Sequence, residues 1–415
     1  MDLQDRNMAE GKKIIIVGAG LSGLACAVRL REAGHHPILI ERADRVGGRV
    51  QTDEVDGFLL DHGFQVYLSA YPEAGRMLDL KSLDLRKFKA GAQVFSNGKW
   101  QRVMDVFRHP QYLLVSALAP IGTLGDKLRV AILRFQCGRT SLGTDRTTEQ
   151  FLRDFGFSER IIDGFFRAFY GGIFLERELR TSSRMFEFTF RMFSTGHATL
   201  PAAGMQMIPN QLAERLMPGS IHLNVAVLTV EKHAVVLENG ERWEADAVVV
   251  ATNAKTASRL LPELAEPVTR WRSVTGLYFS APQSPMNEAI IALNGDGSGL
   301  VNNVCVISDV APAYAPAGKS LISISVLGVP TSLDLHEQVL DELERWFGSQ
   351  VRKWSHLRTY QIQQALPEQA VTPLKNGVQR IGEIFICGDH CDSASIEGAI
   401  SSGKQTADEI VLNFR

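Results

Sequence analysis

The sequence predicts an α/β protein of two domains, one built on a parallel sheet whose pieces are scattered along the chain. Three observations predict it. The chain has 415 residues, beyond the roughly 250 to 300 at which one hydrophobic core stops growing. Residues 13–42, KIIIVGAGLSGLACAVRLREAGHHPILIER, run from a β-branched stretch through a glycine turn and a helical pattern into a second apolar stretch, which is the order of a βαβ unit. Strand, Gly-Asp turn and helix then return at 383–411.

Composition excludes several classes. With 45% hydrophobic and 22% charged residues the chain is neither fibrous nor disordered. A formal net charge of −2 from 44 Lys+Arg and 46 Asp+Glu gives no field to draw nucleic acid, so no nucleic-acid partner is expected. Five cysteines without CxxC pairs suit a reducing compartment. The polar start, MDLQDRNMAEGKK, lacks an apolar signal core, and the expected location is cytoplasmic. The uncharged stretch from Gln111 to Gly125, interrupted by Pro120, falls short of the roughly 20 residues that span a bilayer.

In the opening unit, Gly18 permits the tight turn, Gly20 lets backbone approach a pyrophosphate, and Gly23 allows the helix to lie close on the strand. The turn residues Ala19, Leu21 and Ser22 then offer a helix N-terminus to the phosphates. Glu41, 23 positions after Gly18, is placed to accept the hydroxyls of an adenosine ribose, with Arg42 beside it.

The next residues narrow the cofactor. Glu41 leads into ERADRVGGRV, with Gly47, Gly48 and Arg49, and then DGFLLDHGFQVY. ExxxxxGGR after GxGxxG resembles the FAD-binding opening of the flavin amine oxidase superfamily, which includes protoporphyrinogen oxidases and phytoene and squalene desaturases. The resemblance implies FAD, with Gly47, Gly48 and Arg49 beside its diphosphate and Gly63 and Phe64 near its isoalloxazine. It also implies that Val227, in a segment that turns at Asn239-Gly240, lies on the adenine, with Ala251 near the dinucleotide. Gly388, Asp389, Ser395, Ile396 and Ala399 resemble the closing motif on the phosphate and ribityl chain. The implied fold is a discontinuous Rossmann-like FAD-binding domain of the GR2 type (1–90, 204–268 and 374–415) with a second, mixed α+β substrate domain (91–203 and 269–373).

Two competing motifs fail. GAISSGK at 398–404 mimics a P-loop, but Gln405 stands where a hydroxyl must bind Mg²⁺. Cys387, His390, Cys391 and Asp392 match no zinc spacing, so no metal is expected.

In the substrate half, 151–193 holds eleven of the 21 phenylalanines. That density predicts a helical core that also supplies an apolar chamber for a hydrophobic small molecule. Residues 99–200 carry an excess of positive charge around the uncharged 111–125 stretch. A peripheral membrane face bracketed by Arg108, Lys127, Arg129 and Arg134 is one reading; arginines paired with acids in a soluble enzyme is the other. LPAAGMQMIPNQLAERL (200–216) resembles the family's crossover back to the flavin domain, with Met205 and Met207 as packing.

A flavin carries its own redox centre, so the absence of HExxH and GxSxG is expected. Amine oxidases of this superfamily usually place a lysine on a substrate-domain strand, and RSVTGLYFSAP (272–282) has none. The resemblance therefore favours dehydrogenation of a polyene, terpenoid or tetrapyrrole, with amine oxidation or redox-neutral carotenoid-type isomerisation as alternatives. Arg49, Tyr67 and Tyr71 are candidates for the site wall. No side chain is singled out as catalytic, and the electron acceptor and oligomeric state stay open.

Overall fold

The computed structural model describes residues 11–112, 116, 120–137, 143–263, 270–371 and 378–414. The β-branched run becomes the strand Lys13–Val17, flanked in parallel by His36–Ile40 and Ala247–Val250. Ile384–Ile386 adds a further parallel strand, and the sheet closes at its edges with Ile221–His222 and the antiparallel Gln379–Ile381. Ile14, Ile15 and Ile16 are all fully buried. Continuous apolar strands of this kind are what a parallel sheet covered on both faces requires.

The helix Leu21–Glu32 packs on this sheet beside the last helix, Ile396–Asn413. Both contacts are backbone-close. A β-carbon at Gly403 would lie 2.0 Å from the Ser22 carbonyl oxygen, and one at Gly23 would lie 2.0 Å from that of Gly18. No residue but glycine fits either place. The GAISSGK segment lies inside this last helix, as its helical pattern implied. The expected hairpin at Asn239-Gly240 joins Ala234–Leu237 to Arg242–Glu244, in a three-stranded sheet with Val227–Glu231.

A second sheet has seven strands, ordered Ser355–Pro367, Trp271–Ala281, Ser320–Leu327, Val301–Val306, Ile291–Asn294, Gly91–Ser96 and Lys99–Met104. Helices Thr148–Asp154, Arg167–Phe174 and Ser183–Thr195 carry the phenylalanine-rich segment. Phe151, Phe166, Phe174 and Phe186 are buried there with Tyr170 in one core, with ring centroids 4.6 Å apart for Tyr170–Phe186. A small sheet with Ala198–Pro201 between Tyr67–Leu68 and Leu85–Lys87 joins this lobe to the N-terminal part of the chain. Met205 is fully buried and Met207 packs against the same core, in keeping with a packing role.

Asp61, at the end of the strand Phe58–Asp61, ties the N-terminal part of the chain to the seven-stranded sheet. Its carboxyl accepts from Thr52 Oγ1 (2.5 Å), the Met205 amide (3.1 Å) and Tyr314 Oη (3.0 Å), while Tyr278 Oη donates to its carbonyl oxygen (2.9 Å). Complete burial pushes this carboxyl up to about 6, although all three donors to it act in the opposite direction. Its unfolded value is near 3.9. A raised acid contributes stability that is fully present below about pH 4 and is lost as pH rises through about 6. Two units correspond to about 3 kcal/mol. Asp61→Asn, which cannot ionise, is therefore expected to remove this dependence. Urea unfolding of both proteins from pH 4 to 8 checks it, and parallel stability curves would mean that Asp61 is already ionised across that range.

Candidate functional site

One cavity of about 1350 Å³ runs from the opening glycine turn to the phenylalanine-rich lobe. It exceeds the roughly 300 to 1,000 Å³ of an ordinary small-molecule site, leaving room for a dinucleotide and a substrate together. Its first half is lined from three separated parts of the chain. Gly18, Gly20, Leu21, Ser22, Glu41, Arg42, Gly47, Gly48, Arg49, Gly63 and Phe64 come from the first, Val227 and Ala251 from the middle, and Gly388, Asp389, Ser395, Ile396 and Ala399 from the last. Ala19 and Gly23 were expected in the same set and do not line it. Ala19 instead donates its amide to Glu41 Oε2 (2.8 Å), and Gly23 is the close helix contact described above.

The cradle has the features a dinucleotide needs. Gly20 is the N-cap of the first helix with no capping side chain, and that helix has no acid in its first turn, so its amide ends and dipole are left for an anion. A β-carbon at Gly20 would meet no protein atom within 4 Å. The space it would fill belongs to the cavity. Among the described residues, Ser22 Oγ is buried on the same wall without a hydrogen-bond partner, as a phosphate or hydroxyl ligand would explain. Gly47, at φ +116°, bridges Gly20 and brings the second glycine turn alongside the first. The last helix begins at the same cavity, with Ser395 Oγ capping the Gly398 amide (3.0 Å).

Glu41 holds the turn from the strand end: its oxygens accept from the amides of Ala19 and Ala43 (2.9 Å for the latter). Its oxygens keep lone pairs for further donors from the cavity. Arg49 is no solvated surface arginine. Its guanidinium donates to Asp389 Oδ1 (2.6 Å) and the Ala365 carbonyl (3.1 Å) and lies over the Trp271 ring, so the first and last segments meet across one ion pair.

The second half of the cavity is predominantly apolar. Phe165, Phe166, Phe169, Phe190 and Phe193 face it from the helices; Val274, Ile291, Leu293 and Ile362 face it from the seven-stranded sheet. The remaining six phenylalanines of the 151–193 segment do not line it. On the lysine-free strand Trp271–Ala281 the lining residue is Val274. Tyr71 is in the wall, its phenol pushed up by burial and by Glu397. Tyr67 is fully buried away from it. His197 lines the wall, its imidazole pushed down by burial and by Arg108 and Lys87.

Sequence reasoning missed a pair beside Gly63. His62 lines the cavity, its Nε2 lies 3.0 Å from Asp53 Oδ2, and its ring packs tilted against Tyr360 with centroids 4.7 Å apart. Asp53 also accepts from Arg45 and Tyr360, which, against the opposing effect of its burial, hold it down at about 2 and therefore ionised. The only sequence signal was a histidine next to a turn glycine, with its carboxylate one strand earlier.

Near the mouth, Arg134 pairs with Asp105 (2.7 Å), and both Arg108 and Arg134 donate to the Ser194 carbonyl. These two expected lipid-facing cations are turned inward. The exposed feature is apolar: Leu124, Leu128, Ile132 and Phe135 on the helix Leu124–Gln136, beside Phe107. Leu124 and Leu128 also line the cavity. Much of the uncharged 111–125 stretch lies outside the described residues. Among the described residues, no helix is long and apolar enough to cross a membrane, and no cluster of metal-ligating side chains occurs.

The family model for flavin-containing amine oxidoreductases matches residues 21–411. The chain belongs to this family. It is similar to a 15-cis-phytoene desaturase of Narcissus pseudonarcissus, 23% identical over 98% of this chain and 80% of that one. A 15-cis-phytoene desaturase of Synechococcus elongatus is 22% identical over 96% of each chain. Among solved structures, a wild-type putrescine oxidase bound to putrescine superposes with a TM-score of 0.72 at 18% identity, over 97% of this chain and 99% of that one. This flavin amine oxidoreductase is an FAD-dependent enzyme, and the cradle fits its cofactor. Purified protein is expected to be yellow, with about one FAD per chain released by denaturation. Glu41→Gln turns charge-assisted hydrogen bonds into neutral ones, with an expected loss of about 1 kcal/mol of FAD affinity. Flavin content across a dilution series measures it; content equal to wild type would remove Glu41 as the ribose acceptor.

Proposed function

We propose that this protein dehydrogenates an extended, apolar molecule of the polyene, terpenoid or tetrapyrrole type. The observation that supports this most is the apolar chamber continuous with the dinucleotide cradle, whose lysine-free strand presents Val274. In this reading the cradle residues from Gly18 to Arg49, with Val227, Ala251 and the 388–399 segment, hold FAD, and Gly63 and Phe64 sit at its ring. The division into a flavin half (1–90, 204–268 and 374–415) and a substrate half (91–203 and 269–373) belongs to the same proposal. When bound, the flavin accepts a hydride. The chain's part is to orient the substrate, exclude water with the phenylalanine wall and take up the proton that leaves with the new double bond. His62 is the proton acceptor in this reading, with Asp53 fixing its tautomer through Nε2. Amine oxidation is disfavoured because Val274 offers no polar group, and Asp105 already faces Arg134.

Anaerobic mixing with a panel of polyenes, terpenoids and reduced tetrapyrroles tests the reaction. The expected result is bleaching of the flavin with a substrate double bond formed. Isomerised product without bleaching would favour the redox-neutral alternative, and bleaching by amines alone would overturn the reading. His62→Gln is expected to keep its flavin while flavin reduction slows about 100-fold, the usual worth of a positioned base. An unchanged reduction rate would exclude His62.

The cavity mouth is read as resting on a bilayer. The exposed stripe Leu124, Leu128, Ile132 and Phe135 continues into the cavity through Leu124 and Leu128, a route for a lipophilic substrate. Because Arg108 and Arg134 are spent on Asp105 and Ser194, binding is expected to rest on apolar contact and to change little with salt. Each buried leucine contributes about 1.5 to 3 kcal/mol, so Leu128→Asp is expected to lower vesicle partitioning at least about tenfold. Co-sedimentation with zwitterionic and anionic vesicles at low and high salt checks this. Absence of binding to either leaves a soluble enzyme, and self-association abolished by the same substitution makes the stripe an interface between copies.

A further inference from the structure

The apolar chamber has one polar spot in its sheet wall. Asn303 and Ser325 line the cavity while being only 2% and 5% exposed. They stand opposite each other on neighbouring strands. Asn302 Nδ2 donates to the Ala168 carbonyl (3.3 Å) and to Asn303 Oδ1 (3.0 Å), which fixes the orientation of the Asn303 amide. Asn303 Nδ2 in turn donates to Ser325 Oγ (3.3 Å). An amide nitrogen carries two protons and a hydroxyl one. These bonds use one of the three, so among the described residues the second Asn303 N–H and the Ser325 O–H have no protein acceptor. By contrast Thr189, also in the chamber wall, spends its hydroxyl on the Met185 and Phe186 carbonyls of its own helix. Buried donors facing an apolar cavity are costly unless a ligand uses them.

The position of the spot is also informative. Ser325 pairs across the strands with Gly276, and a β-carbon at Gly276 would lie 3.3 Å from the Gly63 α-carbon. Ser325 and Asn303 are therefore one and two strand spacings, each about 4.8 Å, from Gly276, which lies against the turn read above as passing the flavin ring.

We infer that Asn303 and Ser325 determine specificity by donating two hydrogen bonds to one oxygen of an otherwise apolar substrate, a carbonyl or hydroxyl close to the bond that is oxidised. This rests on the reading of the chamber as the substrate site. It adds that a pure hydrocarbon is the poorer ligand: a site built to hydrogen-bond a substrate oxygen rejects the analogue that lacks it.

The test titrates the FAD-loaded protein with two inert isoprenoid probes of matched chain length, a methyl ketone and a hydrocarbon, read by perturbation of the flavin spectrum. The chain's own partitioning cancels when the ketone-to-hydrocarbon affinity ratio is compared between proteins. Wild type is expected to favour the ketone. Ser325→Ala is expected to lower that ratio about tenfold, the worth of one neutral hydrogen bond at the upper end. Asn303→Leu is expected to lower it at least as much, and serves as an independent variant should either fold poorly. A ratio unchanged in both variants, with both probes still perturbing the flavin, would overturn the inference while leaving the chamber as substrate site. If neither probe perturbs the wild-type flavin, the chamber reading itself fails and the inference with it.

Discussion

The site depends on how closely the first and last helices approach. With the β-carbon position at Gly403 only 2.0 Å from the Ser22 carbonyl oxygen, the helix starting at Leu21 and the one starting at Ile396 lie backbone against backbone. Both N-termini therefore end at the same cavity. At the first of them, which has no capping side chain and no acid in its first turn, an anion can be held without a charged side chain. The contact also explains why residues nearly 400 positions apart share one cradle: the parallel sheet lays Ile384–Ile386 beside Ala247–Val250, itself beside Lys13–Val17. A larger side chain at 403 would separate the helices, and one at 23 would push the first helix off the turn at Gly18; either would unmake the anion site before it touched any ligand.

The join between the N-terminal segment and the seven-stranded sheet is polar and nearly saturated. Asp61 collects donors from Thr52, Met205 and Tyr314, and Tyr278 holds its carbonyl. Arg49 and Asp389 add an ion pair across the cavity wall. Directional bonds of this kind fix the angle of the seven-stranded sheet against the cradle more tightly than apolar contact alone would. The chamber wall can then be apolar without leaving the geometry loose. This division of labour suits a flavoenzyme, in which the cofactor carries the electron chemistry and the protein must set distance and exclude water.

What was legible in the sequence follows from how local each signal is. Gly18, Gly20, Glu41, Gly47 and Gly48 lie within one βαβ unit and its exit, so short spacing reveals them, and the fold brings them together. The phenylalanine density pointed to the chamber, but only helix geometry decides that Phe165 and Phe169 face it while Phe151 and Phe186 fill the core. His62 with Asp53, and Asn303 with Ser325, exist only through strand pairing, which no single-sequence pattern specifies. The charges of Arg108 and Arg134 were visible, but Asp105 and Ser194, which claim them, were not assignable without tertiary contacts. Tyr67 and Tyr71 illustrate the same limit at short range, since one faces the core and the other the cavity.

A crystal structure of the FAD-loaded protein tests the central claim most directly. The account predicts the adenosine ribose at Glu41, the diphosphate between Gly20 and Gly48 at the two helix N-termini, and the ring beside Gly63 with one face open to the chamber lined by Phe165, Val274 and Ile362. Density for the dinucleotide in the reverse direction, or a ring turned away from that chamber, would contradict it.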